Sequence, residues 1–409
     1  MIELTWPGKR PPLTPPPAAF QLDSLLHPQP ENPAQPSELY LGDNLAVMAA
    51  LLPQWENRID LIYADPPFFT NRNFSARIGR GEDSRKPQDW QLASGYTDAW
   101  SSLESYLQFL YDRLALMHRL LAPSGTLYLH LDWHADAYAR LLLDEIFGPE
   151  RLLNQISWNY HGPSPIRSAF NRKHDVIFSY TKSENYTFNA DAVRVPYDEN
   201  TLKTFAASRK AGFGKIPDLQ RGKVPEDWWY FPVVARLHSE RTGYPTQKPE
   251  ALLERIILAS SNPGEIVADF FCGSGTTPLM ADRLDRRFIA SDSSLRAIQT
   301  TRARLARSPL KTASRLWLAA PLTRSPAPFE FSIESGSVIL AGKSDSINFW
   351  EVDPDFDGEV FHSRAQAARP LRGGALNLRL PLNKKNPAGQ ICLRAVDNTG
   401  EQYQTILAD

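Results

Sequence analysis

Apolar residues recur along much of the chain in two alternating rhythms: short continuous runs, and longer stretches with one apolar face. Ile59-Asp60-Leu61-Ile62-Tyr63-Ala64 is apolar at nearly every position, which predicts a strand buried on both faces and stopped by Pro66-Pro67. Upstream, Tyr40-Leu41 predicts a short strand ending at Gly42-Asp43, and Leu45 to Leu52 a helix with Leu45, Met48 and Leu52 on one side. Leu103 to Leu121 has helical spacing and ends at Ala122-Pro123-Ser124-Gly125. Thr126 to Leu131 then reads as a strand and Ala135 to Phe147 as a helix closed by Gly148-Pro149, with further strands at 155–160 and 175–181. Helices are expected again at Pro249–Ser260, Thr276–Leu284 and Ser293–Ala306, with strands at Ile266–Phe271 and Phe288–Ala290 between them. Strands that alternate with helices in this way predict an α/β fold with a mostly parallel, doubly wound sheet.

Four segments fall outside that rhythm. Residues 1–37 hold ten prolines, which removes donors and fixes φ too often for a helix or sheet interior, so an extended arm is expected. From Phe69 to Trp100 the chain is polar and carries Gly79, Gly81 and Gly95, the texture of a long mobile loop. Residues 190–243 have weak periodicity and read as an irregular insertion. After Pro309 the pattern changes to short strand-like segments at Phe329–Ile333, Ser337–Ala341, Ile347–Val352, Ala375–Leu380, Gln390–Asp397 and Gln402–Leu407. The expected organisation is therefore an arm over 1–37, an α/β domain over 38–309 and a small all-β domain over 310–409, an immunoglobulin-like sandwich in size.

Composition narrows the class only a little. No apolar run approaches the length of a membrane span, and the first residues lack a basic segment followed by an apolar block, so a cytoplasmic protein without membrane contact is expected. Two cysteines, Cys272 and Cys392, are too few for a disulfide framework or a thiolate zinc site. The net charge of −1 speaks mildly against a nucleic-acid partner, but residues 151–250 hold fifteen Lys/Arg against ten Asp/Glu.

Two motifs carry chemistry. In Asp269-Phe270-Phe271-Cys272-Gly273-Ser274-Gly275-Thr276-Thr277 a strand runs into a Gly-x-Gly turn and then a helix, a geometry that lets a cofactor approach the backbone. Pro278 stands where the dinucleotide fingerprint needs its third glycine, and no Gly-Lys-Ser/Thr follows, which excludes a P-loop. One strand later, Asp292 is placed to bind two ribose hydroxyls, or to cap the helix that follows. The second motif is Asp65-Pro66-Pro67-Phe68 at the end of a buried strand. There a carboxylate and a proline-region carbonyl can accept the two hydrogens of an exocyclic amine while Phe68 stacks on the base.

Asp65–Phe68 resembles the Asp-Pro-Pro-aromatic motif of amino-methyltransferases, and Phe271–Gly275 resembles their Phe-x-Gly-x-Gly cofactor motif. The order of the two is similar to that of the circularly permuted β group of adenine-specific DNA methyltransferases. Tyr40-Leu41-Gly42-Asp43-Asn44, Gly125–Asp132, Asn171–Asp175 and Tyr244-Pro245-Thr246-Gln247-Lys248-Pro249 resemble further segments of that family. The resemblance implies a Rossmann-like methyltransferase sheet of about seven strands and S-adenosylmethionine as cofactor. It places Asp43 near the cofactor's adenine, Thr246 and Lys248 at its methionine carboxylate, and Asp269, Phe271, Gly273, Gly275, Thr276 and Asp292 along the rest of it. Asp65, Pro66, Pro67 and Phe68 become the catalytic set, acting on N6 of a flipped-out adenine in double-stranded DNA without a metal.

Target reading is expected of residues 190–243, with Lys203, Arg209, Lys210, Lys215, Arg221, Lys223, Trp228 and Trp229 at DNA, joined by Arg172 and Lys173 and by Arg72, Arg77, Arg80 and Arg85 of the 69–100 segment. The charges read equally as a solvated face and the tryptophans as core. Carbon methylation of cytosine is disfavoured, because neither cysteine follows a proline. N4-cytosine methylation, transfer to RNA or a protein amide, and a catalytically silent DNA-binding subunit are the alternatives. A cognate restriction endonuclease, other defence-system subunits or a second copy of the chain are candidate partners.

Overall fold

The alternating apolar segments come together in one large sheet in the computed structural model, which describes residues 3–407 apart from 30, 33, 79–90, 165, 208–217, 236–237, 342–343, 372–373 and 387–388. The first half of the chain forms β1 (Gln21–Leu26), β2 (Ser37–Leu41), α1 (Asn44–Trp55), β3 (Ile59–Ala64), β4 (Arg72–Ile78), β5 (Gln91–Asp98), α2 (Leu103–Leu120), β6 (Leu121–Leu131) and α3 (Asp136–Phe147). The second forms β7 (Leu152–Asn159), β8 (His174–Thr181), α4 (Glu199–Ala207), β9 (Trp228–Tyr230), α5 (Glu250–Ser260), β10 (Ile266–Asp269), α6 (Thr276–Arg283), β11 (Arg287–Asp292), α7 (Leu295–Arg307) and β12 (Ser314–Leu318). No helix among the described residues is long and apolar enough to cross a membrane.

The sheet has eleven strands, ordered Phe361–Ser363, β1, β12, β2, β11, β10, β3, β6, β8, β7, β9. From β12 to β6 neighbours run parallel, and β8 then turns antiparallel between β6 and β7. β3 shows why its sequence is apolar throughout. Ile59, Ile62 and Ala64 enter the core beneath α1, α2 and α3, while Leu61 and Tyr63 enter the opposite core beneath α5, α6 and α7. Helix α2 starts where Ser102 and Ser105 cap each other's backbone, and α1 where Asp43 accepts from Leu45 N.

Four expectations need correction. The proline-rich arm is extended, but its proline-free stretch 21–26 forms β1 on the sheet, antiparallel to β12 with Leu26 fully buried. Its earlier part is docked as well, since Arg10 grips the Asp112 carboxylate through both terminal nitrogens, at 3.1 and 2.7 Å. The sheet does not end at residue 309, because β12 lies between β1 and β2. Residues 69–100 are not simply a loop: β4 and β5 pair as an antiparallel hairpin, with Gly95 so close to Phe74 O that a Cβ would collide with it and press on Pro245. Within 190–243, Trp228–Tyr230 joins the sheet beside β7.

Beyond β12 the chain is all β. Strands Ser325–Pro326, Gln402–Leu407, Gln390–Asp397, Ile347–Phe356 and Ala365–Ala368 make a five-stranded sheet, and Glu330–Glu334, Ser337–Ala341 and Arg379–Pro381 a three-stranded one. They share a core around the fully buried Trp350, packed with Val338, Leu340 and Leu393. This unit is tied to α7 by the buried pair Arg302–Glu351, at 2.8 Å.

Candidate active site

Connections leave the middle of the sheet in opposite directions. From β3 the chain passes through α2 to β6 on one side, and from β10 through α6 to β11 on the other, while β3 and β10 themselves are parallel neighbours. At such a reversal nothing covers the crevice beyond the strands' carboxyl ends, which is where ligands bind in doubly wound sheets. The Asp65 loop leaves β3 there and the glycine turn leaves β10 there. Both line one cavity of about 620 Å³, together with Asp43, Tyr244, Thr246, Lys248 and Asp292.

On the β10 side the wall is built for close approach. Gly273 has φ of 49° and lines the cavity, whereas Gly275, expected along the cofactor, does not: with φ of 77° it lets the turn pack on α7, where a Cβ would come within 2.5 Å of Thr301 Oγ1. Asp269 holds the turn from beneath, accepting from Thr277 Oγ1 at 2.6 Å and Phe271 N at 3.0 Å. Burial pushes its carboxyl up to about 7, against those two hydrogen bonds. Asp292 accepts from Ser294 N at 2.8 Å and Gly273 N at 2.9 Å, and burial pushes it up to about 6. It is the last residue of β11; the cap of α7 is Ser294, whose side chain accepts from Ala297 N. A glycine cradle beside an acceptor carboxylate fits a nucleoside.

Several expected cofactor residues prove to be braces as well as lining. The Thr276 hydroxyl donates to Lys248 O at 3.0 Å and accepts from Arg304 Nη1 at 2.8 Å, fixing the 244–249 segment to α6. Thr246 has φ of 55°, and its Oγ1 lies 3.2 Å from Tyr96 OH of the hairpin. Asp43 pairs with Arg113 at 2.8 Å, and Arg113 Nε donates to Asn44 Oδ1 at 2.7 Å.

On the β3 side the turn is held by a carboxylate not expected from the sequence. Asp98, buried at the end of β5, accepts from the backbone N–H groups of Phe68, Phe69 and Thr70 at 3.2, 3.0 and 2.8 Å, and from Trp100 Nε1 at 2.7 Å. Tyr106 OH donates to Pro67 O at 2.9 Å. These bonds hold Phe69 at φ 66°, a left-handed conformation unusual for a bulky residue. Asp65 is thereby fixed at the cavity wall. Its Oδ2 lies 2.5 Å from Lys248 Nζ, whereas its buried Oδ1 has no hydrogen-bond partner among the described residues. The ammonium of Lys248, a residue expected at the cofactor carboxylate, thus sits on Asp65. Beneath them lies a second feature missed in the sequence, a buried polar chain. Tyr63 OH is 2.7 Å from His130 Nδ1, His130 Nε2 is 3.2 Å from Asp175 Oδ2, and Tyr160 OH donates to Asp175 Oδ1. Two of these, His130 and Asp175, fall inside segments that match the family resemblance; the polar residue at 130 within an apolar strand was the available signal.

The expected DNA contacts divide. Trp229 is 8% exposed and donates Nε1 to Glu226 O at 2.9 Å, so it belongs to the core, while Trp228, one residue earlier on the same strand, is 63% exposed. Arg72 is exposed at the start of the hairpin, and Arg77 donates its backbone N–H to Gly243 O. Arg172 stacks on Trp133 at 4.0 Å and Lys173 Nζ donates to Pro163 O. Lys203 faces Glu199 at 3.5 Å on α4, Arg221 pairs with Asp191, and Lys223 with Glu226. Arg80, Arg85, Arg209, Lys210 and Lys215 lie outside the described residues. Phe170, not singled out in the sequence, is 98% exposed in the segment between β7 and β8. Register places that segment on the Asp65 edge, since Ala64 is level with Leu129 and Leu131 with Val176.

A family model for a DNA methylase matches residues 59–303, a span that begins with β3 and ends within α7. The chain is 32% identical over 250 residues to the DNA adenine methyltransferase YhdJ of Escherichia coli (strain K12), which covers 61% of this chain and 75% of that protein. It is also 32% identical over 251 residues to the Type II methyltransferase M.HpaI of Haemophilus parainfluenzae, covering 61% and 69%. Among solved structures, that of the M1.HpyAVI-SAM complex overlaps 66% of this chain and 98% of its own at a TM-score of 0.43 and 22% identity, a likeness of outline only.

Proposed function

We infer that this chain, which belongs to the DNA methylase family, is an S-adenosylmethionine-dependent DNA methyltransferase acting on adenine N6. The observation that carries the assignment of residues is spatial: the carboxylate of Asp65 and the turn at Phe271–Ser274 open onto one cavity. When bound, S-adenosylmethionine supplies a methyl group on a sulfonium. Phe271, Gly273, Asp292 and Asp43 would hold its nucleoside, and Thr246 and Lys248 its amino-acid end.

The chain's own part is orientation and charge. Adenine N6 is a weak nucleophile, because its lone pair is drawn into the ring. Asp65 and the backbone carbonyl of Pro66 accept its two hydrogens and favour a pyramidal nitrogen, and Phe68 stacks on the base. Formation of the N–C bond at the expense of the donor's S–C bond would leave a neutral thioether and put positive charge on the nitrogen, which the Asp65 carboxylate stabilises, and one N6 proton would then leave along the hydrogen bond to Asp65 and pass on to solvent. The cavity lies beyond the carboxyl ends of the central strands and is walled by the hairpin, so the adenine leaves the duplex to reach it.

The duplex lies across the rim formed by Trp133, Phe170, Arg172, Lys173, Trp228 and Tyr230, with Arg72 and Arg77 of the hairpin at the other side. Cations there meet phosphate, and exposed aromatic faces suit unstacked bases. Residues 190–243 supply the sequence preference. The C-terminal pair of sheets is an immunoglobulin-like sandwich that braces α7 and β1, with no part in the chemistry.

Single-molecule sequencing of genomic DNA from a host expressing the chain tests this. N6-methyladenine confined to one sequence motif is expected; N4-methylcytosine, or unmodified DNA from a host in which the purified protein binds S-adenosylmethionine, would overturn it.

A further inference from the structure

The ammonium of Lys248 occupies the place that the mechanism reserves for the target amine. Its Nζ is 2.5 Å from Asp65 Oδ2 and 5.2 Å from the centroid of the Phe68 ring. A nitrogen bearing hydrogens on that carboxylate, over that aromatic face, satisfies the same two groups that an incoming adenine would use. The lysine backbone is not free to follow its side chain, because Thr276 Oγ1 donates to its carbonyl. Only the side chain can swing, within the wall it shares with Gly273, Ser274 and Thr246.

Both partners are largely buried, so pulling the ammonium off Asp65 without another anion to receive it leaves two uncompensated charges. A neutral base offers no such anion. The methyl donor does, in its α-carboxylate. We propose that Lys248 is a tethered stand-in for the target amine, closing the base pocket until the carboxylate of the bound methyl donor draws it away, so that adenine is admitted only to the loaded enzyme. This rests on the methyltransferase reading above and adds an order of binding to it.

The test compares two nucleosides of the same adenosine core on the wild-type protein. S-adenosylhomocysteine carries the amino-acid carboxylate, and 5′-methylthioadenosine lacks it. The DNA is a duplex bearing the motif that the protein methylates, with 2-aminopurine at the target position, whose fluorescence rises when the base leaves the stack. At saturation of each nucleoside, the affinity that yields the fluorescent complex is expected to be about tenfold higher with S-adenosylhomocysteine. In Lys248→Met the fluorescent complex should form equally with either nucleoside and with neither. Equal affinities in the wild type would overturn the proposal, as would a Lys248→Met protein that still requires the carboxylate. Fluorescence absent in every arm, on a motif the protein does methylate, would overturn it too. Failure of the methyltransferase reading itself is distinct, because then no motif is methylated at all. The wild-type comparison stands even if the variant does not fold.

Discussion

Single residues around the cavity do more than one task, and Asp292 shows how that can be measured. Its two oxygens are engaged by backbone N–H groups, yet burial lifts its carboxyl from 3.8 to about 6. A raised carboxyl means that the folded protein holds the proton more tightly than the unfolded chain. Between about pH 4 and 6 this residue's contribution to stability therefore falls as pH rises, and it is lost once the carboxyl ionises. Binding runs the other way, because the ionised form is the better acceptor for ribose hydroxyls. Calorimetric titration with S-adenosylhomocysteine should show affinity weakening below about pH 6, by up to about tenfold per unit. Asp292→Asn should bind more weakly at pH 7 but lose that fall. A wild-type affinity that is flat from pH 5 to 7 would remove Asp292 from the ribose. The role of Asp65 was legible from a carboxylate at the end of an apolar strand, stiffened by two prolines. The pairing with Lys248 was not, since 183 positions separate the two and nothing local links them.

At the scale of elements, continuous apolar runs and one-sided helices were readable, and β3, α2, α3 and α5 lie within a residue or two of expectation. The hairpin β4–β5 was not. Its strands are largely polar and bury only Ala76 and Asp98, so no alternation announced them, and their register is set by pairing with each other, with Gly95 close against Pro245. β1 escaped for a related reason, being a six-residue strand, flanked by prolines, whose partner Ser314–Leu318 lies almost three hundred positions away. The hairpin's function follows from where it ends. Asp98 closes β5 and collects three backbone N–H groups of the Asp65 loop. Asp98→Ala would strand those donors in a buried turn and release Phe69 from its left-handed conformation. An unfolding free energy lower by about 3 kcal/mol is expected, on the order of two hydrogen bonds to a charged group. The fall in turnover should exceed the fall in cofactor affinity, because the glycine turn lies on the neighbouring strand. Equal losses of both would mean that Asp98 supports the fold without placing the catalytic loop.

For the molecule as a whole, the division into an arm, an α/β domain and a β domain was drawn from texture, and the large sheet crosses both of its boundaries. The sheet takes β1 from the proline-rich segment and β12 and Phe361–Ser363 from beyond residue 309, while Arg302 reaches into the C-terminal unit to pair with Glu351. The doubly wound core was legible because alternating elements imply it. The edge strands were not, because long-range pairing places them. What the whole fold accomplishes is to set two loops side by side, one following residue 64 and the other residue 269, at the point where the winding of the sheet reverses.

The most direct test of that juxtaposition uses purified wild type and Asp65→Ala with isotopically labelled S-adenosylmethionine and DNA bearing the motif, followed by digestion to nucleosides. Labelled N6-methyldeoxyadenosine is expected from the wild type and none from the variant, while the variant's affinity for S-adenosylhomocysteine stays within a few-fold of wild type. A variant that transfers the methyl group as fast as the wild type, or that loses cofactor binding in step with transfer, would contradict it.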